Sequence, residues 1–159
     1  MKIFLYTDGS SLGNPGPGGY GIVLLSDKGH YKEMSQGFRK TTNNRMELLS
    51  VIVGLETIRH KESSIVVVSD SKYVVDAVNK GWIENWQKKG LSKKKNPDLW
   101  RRFLEARKGL DVTFDWVKGH AGNKYNEKCD QLAVKAAKGK ILKIDHGFEK
   151  VESGSSDLF

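Results

Sequence analysis

Four carboxylates in this sequence are placed where a lone charge would be poorly accommodated: Asp8, Glu47, Asp70 and Asp130. Asp8 closes the apolar run Ile3-Phe4-Leu5-Tyr6, and Asp70 closes the β-branched run Ile65-Val66-Val67-Val68. Glu47 sits in an otherwise apolar segment, and Asp130 flanks the stripe Cys129, Leu132, Ala133, Ala136. Each acid has an ordinary explanation. Asp8-Gly9 is a common turn pair, Asp70 could cap the helix that follows, Asn44-x-x-Glu47 has the form of a capping box, and an acid near a helix N-terminus suits the dipole. Taken together they suggest something else. Four acids brought close together repel and resist ionisation, and divalent cations would neutralise them. An all-oxygen donor set favours magnesium, with manganese as a substitute, over zinc. A pair of such ions about 3.5–4 Å apart is the usual device for in-line phosphodiester hydrolysis. His120, between Gly119 and Ala121-Gly122, is a candidate proton carrier on a flexible loop. Cys129 is expected to be a small core residue with no chemistry.

A second feature points to a polyanionic partner. The net charge is +8, and ten basic residues against three acids fall between Lys80 and Lys108. Trp82 and Trp86 lie one helical turn apart beside Lys88 and Lys89. Flat aromatics among cations suit a sugar–phosphate backbone, although a basic helix can also be merely solvated.

These residues need a scaffold. The pattern predicts a strand over 3–6 that stops at Asp8, where glycines and prolines from Gly9 to Gly19 are expected to form a loop. Further strands are predicted over 20–25, over 30–37 as a weaker edge strand, over 65–68 and over 112–117. Helices are predicted from Thr41–Asn44 to about Arg59, over 71–79, over 98–108 and over 123–138, with short helical pieces broken at Gly81, Gly90 and Pro97. The 65–68 run is continuously apolar, as a central parallel strand should be. Reaching it through a helix implies a right-handed crossover. The expected architecture is α/β: a mixed five-stranded sheet, three antiparallel strands then two parallel, with helices on both faces. Asp8 and Asp70 would end neighbouring parallel strands, at the edge where open α/β sheets bind ligands.

Length and composition set limits. A chain of 159 residues is expected to form one domain with a real core. No apolar stretch is long enough to span a bilayer, and Met1-Lys2-Ile3-Phe4 has no signal-peptide layout. One cysteine permits no internal disulfide, so a reducing cytoplasmic setting is expected; nothing in the sequence argues against a monomer, which is the expected state. Residues 139–159 read as a largely flexible extension in which Ile141, Leu142 and Ile144 could add one packed piece.

Five segments together resemble the motifs of type 1 ribonuclease H. They are Tyr6-Thr7-Asp8-Gly9-Ser10 with its glycine-rich continuation to Tyr20, Thr41-Thr42-Asn43-Asn44-Arg45-Met46-Glu47-Leu48, Ser69-Asp70-Ser71-Lys72-Tyr73-Val74, Trp116-Val117-Lys118-Gly119-His120-Ala121-Gly122-Asn123 and Asn126-Glu127-Lys128-Cys129-Asp130-Gln131-Leu132-Ala133. They arrive in the family's order and delimit a domain over residues 1–138. The resemblance implies a ribonuclease H fold and endonucleolytic cleavage of the RNA strand of an RNA–DNA hybrid, giving 5′-phosphate and 3′-hydroxyl ends by a two-metal-ion mechanism. It implies Asp8, Glu47, Asp70 and Asp130 as the metal-binding catalytic acids and His120 as the mobile catalytic histidine. Asn14, Asn43 and Asn44 match minor-groove contacts, and Thr42 matches a contact near a DNA phosphate. Trp82, Trp86, Lys88 and Lys89 match the basic protrusion that grips the DNA strand. Lys72 occupies a groove-contact position where glutamine is common. Two further departures, Ser11 and Leu91, also lie away from the acids. A wide minor groove lined with 2′-hydroxyls suits amide side chains, and contacts of this kind read sequence weakly.

Two other classes fit less well. A silent hybrid-coating module would gain nothing from acids that repel phosphates. A strand-transferring nuclease on a similar fold uses fewer acids and a larger chain. The final Asp157-Leu158-Phe159 faintly resembles a sliding-clamp-binding peptide.

Overall fold

The computed structural model describes residues 1–91, 94–119 and 122–154. In chain order the elements are β1 (Lys2–Ser11), β2 (Gly16–Ser26), β3 (Tyr31–Thr41), α1 (Asn43–Thr57), β4 (Ser64–Ser69), α2 (Lys72–Asn79), α3 (Trp82–Lys89), α4 (Pro97–Arg107), β5 (Asp111–Trp116), α5 (Lys124–Ala137), β6 (Leu142–Lys143) and α6 (His146–Gly154). The sheet order is β5-β4-β1-β2-β3-β6. β1, β2 and β3 form an antiparallel meander. β4 joins β1 in parallel, and β5 joins β4 in parallel. The expected arrangement of three antiparallel and two parallel strands is therefore present. A sixth strand, the two-residue β6, adds in parallel to the outer side of β3. It covers only Gly37 and Phe38, so most of β3 remains the edge that its weak pattern suggested.

The largest departure from expectation is at the glycines. β1 does not stop at Asp8 but runs on to Ser11, and β2 already begins at Gly16. The pairing Asp8↔Gly21, Gly9↔Tyr20 and Ser10↔Gly19 carries the hairpin through the stretch expected to be a loop. These glycines serve close packing rather than chain reversal. A Cβ at Gly9 would collide with the α1 backbone at Met46 and Glu47, and one at Gly21 would collide with the Cys129 carbonyl of α5. Two helices therefore press onto opposite faces of the β1–β2 hairpin at the level of Asp8.

α1 is buried on most of its circumference, as its composition predicts, with Met46, Leu48, Val51 and Ile52 inaccessible to solvent. Leu5 and Ile22 of the sheet, Val67 of β4, and Trp100 and Phe103 of α4 complete this core. Trp100 links the layers: its ring meets Tyr73, Trp86 and Phe103 edge-on, and its Nε1 donates to the Tyr73 hydroxyl at 3.0 Å.

Residues 139–154 are more structured than their sequence suggests. Ile141 and Ile144 remain exposed, so neither packs as an apolar anchor. The anchor is polar. Asp145, 7% exposed, accepts from Thr41 Oγ1 at 2.6 Å and from Arg45 Nε at 2.8 Å and Nη2 at 2.9 Å. Arg45, 3% exposed on the first turn of α1, also donates to both carboxylate oxygens of Asp98 at 2.9 and 2.8 Å. Burial alone would lower the guanidinium pKa, but the bonds to Asp98 and Asp145 outweigh it and hold the charge firmly. One side chain thus joins α1, the start of α4 and the segment leading into α6. Arg39 pairs with Glu149 at 2.8 Å and fastens α6 to β3 from outside. The three terminal residues Asp157-Leu158-Phe159 lie outside the described residues. Among the described residues no helix is long and apolar enough to cross a membrane.

Candidate metal centre and nucleic-acid interface

Strand alternation turns Asp8 toward the α5 side of the sheet and Gly9 toward α1. The missing side chain at Gly9 lets α1 approach closely enough for Glu47 to reach the strand end. Asp70 follows β4, the parallel neighbour of β1, so both acids emerge at one sheet edge. Carboxylate oxygens of Asp8, Glu47 and Asp70 all lie within 4.8 Å of one another. Asp130, from α5, is not in that tight triad. It lines a small cavity of about 20 Å³ with Asp8, Asp70, Lys118, Gly119, Asn123, Asn126 and Glu127. The four acids foreseen from sequence therefore share one site, three in mutual contact range and the fourth across the cavity. His120 lies outside the described residues.

The ordinary explanations for the acids do not hold in this geometry. Asp8 is in a paired strand, not a turn. The cap of α1 is Thr42, whose hydroxyl accepts from Arg45 N at 3.3 Å, so Asn44 and Glu47 form no capping box. The cap of α2 is Ser71, which accepts from Val74 N at 3.3 Å and leaves Asp70 free of that duty.

Glu47 is held in position from both sides. The Ser71 hydroxyl donates to its Oε2 at 2.5 Å, and Asn43 Nδ2 donates to its Oε1 at 2.8 Å. Burial raises the Glu47 pKa, the Ser71 bond lowers it, and Asp70 raises it again, with a net rise. Asp8 is 9% exposed, and among the described residues the one hydrogen bond to its carboxylate is from its own neighbour, Gly9 N, at 2.9 Å. Burial first, then repulsion from Asp70, Asp130 and Glu47, pushes its pKa up to about 8. This is a carboxylate cluster whose mutual repulsion outweighs the one cation lining the cavity among the described residues, Lys118. All the donors are oxygens, a hard set that fits a divalent cation of the magnesium type. Cys129 is fully buried, and burial pushes its thiol pKa up, so it stays a neutral core residue.

Substrate-contact candidates flank the acids. Asn14 Oδ1 accepts from Asn43 N at 3.1 Å, which ties the β1–β2 turn to the start of α1, and Asn44 is exposed beside them. Lys72 Nζ lies 5.0 Å from the ring centroid of Trp116, whose Nε1 donates to the Asp70 carbonyl at 3.0 Å. Trp116 was not foreseen as part of the site. It is a half-exposed aromatic that fixes the backbone of one acid and supports a neighbouring cation. Farther out, α3 carries Trp82, Trp86, Lys88 and Lys89. Trp82 is exposed, with Lys80 Nζ 5.3 Å from its ring centroid. Trp86 is half-buried against Trp100 and serves the core as well as the surface. Lys88 and Lys89 are exposed in the last turn of α3.

Asn126 was also missed. Its Oδ1 and Nδ2 are both buried at the cavity with no hydrogen-bond partner among the described residues. The one sequence signal is its spacing, a single helical turn before Asp130.

Comparison with known proteins agrees with this geometry. The sequence pattern of the RNase H family matches residues 1–138. A ribonuclease H from Desulforamulus reducens is 55% identical over 149 residues, covering 91% of this chain and 92% of the relative. Among solved structures, LC9-RNase H1, described as a type 1 RNase H with the type 2 active-site motif, is 33% identical. It superposes with a TM-score of 0.77 over 99% of this chain and 85% of its own. LC11-RNase H1, solved in complex with an RNA/DNA hybrid, is 26% identical with a TM-score of 0.64, over 85% of this chain and 96% of its own. With the fold, the clustered acids and these likenesses in agreement, the chain belongs to the ribonuclease H family.

Proposed function

We propose that this protein hydrolyses the RNA strand of RNA–DNA hybrids endonucleolytically, leaving 5′-phosphate and 3′-hydroxyl ends with little sequence preference. The observation that carries this reading is the convergence of Asp8, Glu47 and Asp70 within 4.8 Å, with Asp130 on the same cavity. The hybrid-bound relative supports the substrate class. The donor set fits magnesium, with manganese as a substitute, and bound divalent ions would neutralise the acids, activate water and stabilise the leaving oxygen.

The chain's own residues do the rest. Asp8, Glu47, Asp70 and Asp130 would hold the ions. Ser71 and Asn43 fix the Glu47 carboxylate so that it need not reorganise on binding. Asn14, Asn43 and Asn44 would meet 2′-hydroxyls in the minor groove, and Thr42 a nearby phosphate. Lys72 flanks Asp70, and Trp82, Trp86, Lys88 and Lys89 would take the DNA strand. His120 is proposed as the proton carrier on the strength of the resemblance. Residues 1–138 are proposed as the catalytic domain, with 139–154 fastened to it through Asp145. The test is cleavage of labelled hybrid against matched double-stranded RNA and DNA in magnesium or EDTA. Magnesium-dependent cutting confined to the RNA strand of the hybrid is expected, and binding without cutting would overturn the reading.

A further inference from the structure

Among the described residues, Asn126 is the one lining the acid cavity whose polar side-chain atoms are both buried and both without a partner. Its backbone is well held: Asn123, the N-cap of α5, accepts from Tyr125 N at 3.1 Å and from Asn126 N at 3.2 Å. The side chain gains nothing from that cap. An amide buried without partners is destabilising, and a leucine of similar size would avoid the cost. A residue that keeps this cost in the folded chain is a candidate for a bond made only when something else arrives.

The geometry narrows what that is. Asn126 stands one helical turn before Asp130, beside the cavity that Asp8, Asp70 and Lys118 also line. The volume of about 20 Å³ suits one water. Both a donor and an acceptor are unsatisfied, and the argument is the same whichever way the amide is turned. A phosphate oxygen could satisfy only the donor, whereas a water can satisfy both. Magnesium binds proteins while keeping several of its waters. We infer that Asn126 is a positioning residue whose amide holds a water of a hydrated divalent cation in the acid cluster. The inference rests on the proposed metal-dependent function and names a role for a side chain that is not itself a ligand.

The test compares wild type with Asn126→Leu, and with Asn126→Ala should the leucine variant fail to fold, using full-length protein. Three quantities are measured: magnesium affinity by calorimetry on metal-free protein, the melting temperature in EDTA, and hybrid affinity in EDTA. The expected result is a magnesium affinity lowered about tenfold, as for loss of an outer-shell partner, together with a metal-free melting temperature that does not fall by more than about 2 °C and unchanged hybrid affinity in EDTA. Unchanged magnesium affinity overturns the inference. So does a fall in magnesium affinity together with a melting temperature lowered by more than about 2 °C, which would make Asn126 a structural residue. Weakened hybrid binding in EDTA would make it a phosphate contact instead. Wild type that neither binds magnesium nor cuts hybrid would overturn the function itself, a result separable from the others because it precedes any mutation.

Discussion

The substitution Asp8→Asn should stabilise the metal-free protein, and by an amount that depends on pH. Asp8 is buried against Asp70, Asp130 and Glu47, and its folded pKa is about 8 against 3.8 for the free side chain. Between those two values the folded state holds a proton that the unfolded state has released. By linkage, wild-type stability falls as pH rises through this window. At about 1.36 kcal/mol per unit, the whole shift corresponds to a ceiling of roughly 6 kcal/mol. The partly exposed Glu47 and Asp70 can move and rehydrate, so about 2–3 kcal/mol should be recoverable at pH 8. At pH 5 Asp8 is neutral in the folded state, where asparagine imitates it, but ionised in the unfolded chain, so a smaller gain of about 1.5 kcal/mol should remain. The assay is urea denaturation in EDTA at pH 5 and pH 8, read as the change in midpoint at constant slope. Saturating magnesium should erase the advantage at pH 8, because only the wild type gains full metal-binding energy. A gain independent of pH, or a loss at pH 8, would refute the picture of a mutually repelling acid cluster.

Three other variants probe separate parts of the account. Arg45→Met should cost about 3–5 kcal/mol in urea denaturation by leaving Asp145 buried without its charged partner; a cost below about 1 kcal/mol would mean that the segment leading into α6 is not held by this pair. Adding Asp145→Leu to that variant should restore most of the loss, because an apolar pair can replace a buried ionic one. Lys88→Ala with Lys89→Ala should weaken hybrid binding and flatten the slope of log affinity against log salt by about 1–2 units. An unchanged slope would place the DNA strand elsewhere.

Much of this fold was legible because its signals are local. The β-branched run ending at Asp70 and the all-round apolar α1 identify a central strand and a buried helix from composition alone. The acids were legible for the same reason, since Asp8 and Asp70 end apolar runs and topology then brings those ends together. What escaped depends on distant partners. Gly9 and Gly19 read as chain breaks, yet they lie in strands, because α1 and α5 come too close for any side chain. β6 and α6 were underestimated because their anchor is Asp145 bound to Arg45, one hundred residues away, and not an apolar stripe. Trp116 reads as an ordinary strand residue until the fold sets its Nε1 on the Asp70 carbonyl. The unpartnered amide of Asn126 has no sequence signature beyond its spacing from Asp130.

The central claim is that the clustered acids make this chain a metal-dependent hydrolase of hybrids. The most direct measurement incubates wild type and Asp70→Asn with end-labelled 20-mers of one sequence, as RNA–DNA hybrid, double-stranded RNA, double-stranded DNA and single-stranded RNA, each with magnesium, manganese or EDTA. The account predicts cutting of the hybrid's RNA strand alone, dependent on metal and lost in the variant. Undiminished cutting by Asp70→Asn, or wild type that binds hybrid and cuts nothing with either metal, would contradict it.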